Sequence, residues 1–192
     1  KPIYNRLFWV TEIAVIGMMI RFPIEGYALL SIVFSTLHIF CSYYFCWLVW
    51  RNSKPSSPPE RLLLRTALFF MLLSTCGVWC LGPAVGILGK ASAFYQIAIQ
   101  FFLHFQFNGW FIFAVLTLFL HQLKVEINEN QFRLFYNLLV TSTLLTLALP
   151  VSWYINNAIF YWINCLGVLL QLGTFLVFIK ILKPHFRVFF FS

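Results

Sequence analysis

Three ionisable side chains stand inside long apolar runs of this chain: Glu12, His38 and His104. Charges within a membrane span are costly, turn toward protein or water, and mark relays, ligand sites or buried pairs. Glu12 is the only carboxylate in any of these runs. It is suited either to a functional role or to pairing with a buried His or Arg. An imidazole can exchange a proton near neutral pH or bond a facing carbonyl, and both readings apply to His38 and His104. At about 1.5 Å of rise per residue, His38 lies about 17 Å below the outer end of its run, His104 about 20 Å, Glu12 about 15 Å and Asn164 about 17 Å. These matched depths predict one polar pocket near mid-membrane, with Glu12, His38 and His104 in it.

The densest pattern surrounds His104. Gln96, Gln100, His104 and Asn108 recur every fourth residue, which keeps them on one slowly drifting helical face. Gln106 falls off this stripe, and Gly109 permits close approach of a neighbouring helix. A polar stripe inside a span faces protein or water, so Gln100 and Asn108 join the candidate pocket. Gln96 and Asn164 are expected to make ordinary bonds between helices, and His121 and His185 to sit at cytoplasmic helix ends. The five cysteines, Cys41, Cys46, Cys76, Cys80 and Cys165, all lie in apolar runs, where they are expected to pack as small hydrophobes. No nucleophile elbow, zinc-protease helix, phosphate loop or haem-attachment sequence occurs, and Asp is absent.

The elements that must position these residues are read from composition. Of 192 residues, 61% are hydrophobic and 9% charged. So few charges cannot clothe a globular surface in water, but they can clothe the loops of a bundle bathed in lipid. The net charge of +8 does not indicate a nucleic-acid partner, because the basic residues are spread over short loops and form no patch. Six runs are long enough to span, at about 6–22, 27–50, 61–81, 91–123, 131–149 and 153–182. The expectation is a single all-α transmembrane domain covering residues 1–192. Pro23 is expected to end the first helix, and Ile24-Glu25-Gly26 to make a tight turn into the second. Residues 51–60, RNSKPSSPPE, form the one polar linker. Ser57, Pro58 and Glu60 there carry the signature of a capped helix start. Gly82, Pro83, Gly86 and Gly89 predict an apolar loop at the membrane surface or a short re-entrant turn, and Pro150 and Pro184 predict the ends of the fifth and sixth helices. The first run lacks a small-residue cleavage pattern and reads as a retained helix rather than a signal peptide. The chain opens on Lys1 rather than Met, so a preceding or removed stretch is expected.

Eleven of the thirteen Lys and Arg residues fall on one side of this topology; only Arg21 and Lys90 fall on the other. With short loops this asymmetry predicts that both termini and the 2–3 and 4–5 loops are cytoplasmic. Tyr4, Trp9, Trp47 and Trp50 fit an inner aromatic belt, and Tyr27, Trp79, Trp153 and Tyr154 an outer one. Trp110 and Trp162 lie deeper and call for packing or a cavity.

The segment Leu103-His104-Phe105-Gln106-Phe107-Asn108-Gly109-Trp110 resembles an L-H-F-Q-[FY]-N-G-W helix of uncharacterised polytopic membrane proteins from Bacteroidetes-type bacteria. Those proteins carry L-H-A-H-S-H on an earlier helix, where this chain has Leu37-His38-Ile39-Phe40-Cys41-Ser42 and keeps one histidine of three. That family in turn is similar to the haem-copper oxidase and NnrS group, whose intramembrane histidines hold haem or copper. The resemblance implies a bacterial cytoplasmic-membrane protein with His38 and His104 as haem or metal ligands and Glu12 as proton partner. A transporter, channel or sensor with a polar path, and a non-catalytic subunit or assembly factor among other membrane subunits, are the competing expectations.

Overall fold

The structure, a computed structural model, describes residues 2–26, 28–123 and 127–190, with the side chains of residues 123 and 184–190 excepted. Lys1, Tyr27 and Lys124, and the side chains of His185 and Arg187, on which part of the belt and charge pattern rests, lie outside the described residues. The chain is all-α, with no strand among the described residues. Six helices are long and apolar enough to cross a membrane: Pro2–Glu25, Leu29–Asn52, Pro58–Ile87, Ala93–Gln122, Glu129–Ser152 and Ala158–Lys183. The chain is therefore a multi-pass membrane helix protein. It divides into two compact units, Lys1–Lys54 and Pro55–Ser192.

The first unit is an antiparallel hairpin of α1 (Pro2–Glu25) and α2 (Leu29–Asn52). Its helices meet through small residues. Ala14 is fully buried, and a Cβ on Gly17 would collide with the ring of Phe34. At the open end the Tyr4 hydroxyl donates to the Leu48 carbonyl at 3.3 Å. Pro23 does not end α1, contrary to expectation. In the last turn it withholds only one N–H from the ladder, and Gly26, at φ 65°, ends the helix instead. An Arg21–Glu25 ion pair lies across that same turn.

The second unit holds the other four spans. The third is α3 (Pro58–Ile87), started as its sequence predicts. The Ser57 hydroxyl accepts from the Glu60 amide at 3.4 Å, while the Glu60 carboxylate accepts from the Ser56 amide at 3.0 Å. The apolar loop expected from Gly82 onward is instead helix, and α3 runs through Pro83 to Ile87. Prolines are tolerated inside spans where neighbouring groups re-satisfy the backbone. The chain leaves the helix only at Gly89, whose φ of +79° is open to residues without a Cβ.

The fourth span is not one regular helix. It consists of α4 (Ala93–His104), a π-helical segment Phe105–Phe111, and α5 (Ile112–Leu123). The fifth is α6 (Glu129–Thr146) followed by α7 (Ala148–Ser152), offset at Leu147. Helix persists past Pro150 to Ser152, two residues beyond the expected stop. The sixth, α8 (Ala158–Phe190), likewise continues beyond Pro184. α3 packs on the π segment and its flanking helices, and α6 packs on α8. The core of this unit is aromatic: Phe70, Phe105, Phe113, Phe132 and Phe135, with Leu63, Leu120 and Ile181. Trp110, expected to need a packing role, lies partly buried against it, whereas Trp162 is 74% exposed. The cysteines divide in the same manner. Cys41 and Cys46 are buried, but Cys76 and Cys165 face outward, so core packing does not explain them. In a bilayer an outward thiol still meets hydrocarbon, so an apolar run does not imply a buried one.

Candidate functional site

The site is built where the fourth span widens. A π turn adds one residue to the helical path, so residues eight apart face one way, as residues seven apart do in a regular helix. Phe105 and Phe113, eight apart, are thereby both brought onto Phe70 of α3, at ring-centroid distances of 5.4 and 5.2 Å. Gly109 lies between them. A Cβ there would stand 2.7 Å from Cβ of Phe70, so this close approach requires glycine. The amide of Ile112 reaches the Phe107 carbonyl five residues back, which is the hydrogen bond that defines the bulge.

His104 is the last residue before the bulge, and it is 8% exposed. Its Nε2 lies 2.7 Å from the Thr143 carbonyl on α6. A carbonyl only accepts, so Nε2 carries the proton and Nδ1 holds the lone pair. That lone pair is met by the Asn108 amide nitrogen at 3.3 Å. The Thr143 carbonyl is open to this contact because the fifth span is offset one turn later. The Leu147 amide is directed at the Leu145 carbonyl rather than at Thr143 four residues back. The histidine thus caps a break in a neighbouring helix, a standard means of satisfying backbone freed inside a bilayer.

Two further ties cross the same unit. The Ser74 hydroxyl of α3 donates to the Gln106 carbonyl oxygen at 2.9 Å, and Thr66 and Tyr136 share a hydrogen bond of 2.7 Å between α3 and α6. At one end Glu60, 6% exposed, lies with Oε2 3.1 Å from Nδ1 of His121 on α5. The Ser56 hydroxyl is 3.4 Å from that same nitrogen. A serine–histidine–carboxylate relay needs the serine and the acid on opposite ring nitrogens, so this cluster is a clasp between two helix ends.

The residues singled out from sequence are placed as follows. His104 and Asn108 come together, although Asn108 is on the outward side of the helix, because the bulge ends the regular four-residue stripe. Gln96 donates to the Lys90 carbonyl at 3.0 Å and closes a loop at the helix start rather than joining two helices. Gln100 is half-buried on α4, and Asn164 half-buried on α8. Glu12 and His38 are half-buried on α1 and α2, and no hydrogen bond or ion pair reaches either side chain among the described residues. Among the described residues no three His, Cys, Asp or Glu side chains gather as metal ligands. Sequence reasoning missed Gln106, Ser74 and Thr143. A carbonyl carries no residue-type signal, and the bulge that turns Gln106 toward α3 is invisible to a fixed helical period. No protein-family model, curated protein or solved structure matches the chain.

Proposed function

We propose that this chain is a non-catalytic subunit or assembly factor of a larger complex in a bacterial cytoplasmic membrane, with both termini and the basic loops inside. The observation that carries this reading is the state of His104. Both of its ring nitrogens are engaged by the protein, Nε2 by Thr143 and Nδ1 by Asn108. With Gln106 held by Ser74 and Tyr136 by Thr66, these polar groups of the four-span unit act as ties between helices. A transport path would require such groups to be free for a passing solute. The eleven-to-two distribution of Lys and Arg supports the orientation. Affinity capture of the tagged chain from mild detergent, after cross-linking in native membranes, is expected to return a membrane partner in fixed stoichiometry. Recovery of the chain alone overturns the reading.

A second reading, haem or metal ligation by His38 and His104 with Glu12, Gln100 and Asn108 around them, is supported by the bare imidazole of His38 on α2. As folded, His104 does not fit it. Nε2 is committed to a backbone carbonyl, and Nδ1 would have to exchange Asn108 for the metal. An optical spectrum of the purified protein, oxidised and reduced, separates the readings. A Soret band or bound metal would favour this second one.

A further inference from the structure

The sixth span carries two amides that no hydrogen bond reaches among the described residues. Gln171 is exposed and lies near the middle of Ala158–Lys183; Asn164, one heptad earlier, is half-buried. In hydrocarbon an amide with no partner is costly, because neither its N–H nor its carbonyl finds water. These two are not scattered. Tyr161, Asn164, Val168, Gln171 and Phe175 follow each other at alternating spacings of three and four, the pattern of a helix–helix seam. Tyr161, Val168 and Phe175 are also outward-facing. The seam runs beside the face that α8 buries, where Gly167 meets Leu145 and Thr146 of the fifth span and Thr174 is buried.

We infer that this stripe is a docking seam for a second copy of the same chain, with Gln171 pairing with Gln171 and Asn164 with Asn164 across a two-fold axis along the membrane normal. The chemistry selects this occupant. A primary amide is both donor and acceptor, so it is its own complement, and an isologous contact needs a self-complementary patch. Copies inserted in the same orientation present each residue at the same depth, so both amides pair at once. Seven-residue spacing keeps both pairs on one seam at the shallow crossing common between membrane helices. The inference does not depend on which function the chain serves.

The test uses the full chain, labelled with donor and acceptor dyes and reconstituted into phosphatidylcholine–phosphatidylglycerol vesicles over a range of protein-to-lipid ratios. Energy transfer is expected to report a dimer. The double variant Gln171→Leu/Asn164→Leu is expected to weaken association about tenfold or more, because it removes both amide pairs while suiting lipid better. In a background with the five native cysteines replaced by Ala, Gln171→Cys is expected to form an oxidative cross-link. Leu169→Cys is not, since that position is 66% exposed on the opposite face. A monomer at every ratio, a dimer unaffected by the double variant, or equal cross-linking at 169 and 171 overturns the proposal.

Discussion

Inside the four-span unit, residues 55–192, three polar side chains find a partner on another helix: His104 with Thr143, Ser74 with Gln106, Thr66 with Tyr136. In the hairpin, residues 1–54, the two ionisable side chains of the apolar run, Glu12 and His38, have none among the described residues. The hydroxyl of Ser31, fully buried on α2, also lacks one. Both units are made of similarly apolar helices. What separates them is geometry. Two unbroken helices meet along one seam of small residues, Ala14 and Gly17, and exchange one described side-chain bond, from Tyr4 to the Leu48 carbonyl. A bundle with a π bulge in one helix and an offset in another exposes backbone carbonyls and re-aims side chains toward them. Regular helices saturate most of their own backbone, so a break such as that of the fifth span adds acceptors within the membrane.

This contrast can be broken by mutation, followed through thermal unfolding in mild detergent by the fluorescence of the seven tryptophans. The largest loss is expected for Gly109→Val. Its side chain must displace the Phe70 ring, which packs against Phe105 and Phe113, at a cost of about 3 kcal/mol. A Tm unchanged by that substitution would show that the bulge does not set the packing. His104→Leu should cost about 1–2 kcal/mol, because it removes the short bond to the Thr143 carbonyl at the break in the fifth span and leaves it only the Thr146 hydroxyl at 3.4 Å. His104→Gln, which can still donate, should recover part of that loss, and equal loss in both would refute the capping role. Ser74→Ala and Tyr136→Phe each remove one tie and should cost about 0.6 kcal/mol, the usual worth of such bonds in a membrane. The smallest effect is expected for Glu12→Gln, which removes a charge that has no described partner. The Tm should hold or rise. A clear drop would mean that the Glu12 carboxylate is held, and the contrast between the two units would fail.

Much of the architecture was legible in the residues. Run lengths place six helices, and Ser57 with Glu60 marks the cap of the third, although the apolar run puts its start at 61 rather than Pro58. Where reading by residue type went astray, the cause was punctuation. Pro23, Pro83 and Pro150 read as stops, yet helix continues through each. Glycine at positive φ, Gly26 and Gly89, ends the first and third helices instead. In lipid a helix tolerates the loss of one N–H more readily than early exposure of its whole backbone. The polar residues were legible as a list but not as a site. The four-residue stripe through His104 predicts a common face, and the bulge after His104 ends it.

The sequence by itself determined that this chain lives in a bilayer, because 61% hydrophobic and 9% charged residues leave no other solvent for its surface. It also determined where intramembrane polar groups occur along each span, since depth follows from a constant rise per residue. Only the tertiary structure decided what those groups touch. His104 is bound to a carbonyl that a different helix, 39 residues later, leaves without its usual backbone donor where it is broken. A fixed period cannot anticipate such a partner, because its availability depends on the backbone of another segment rather than on the identity of any residue.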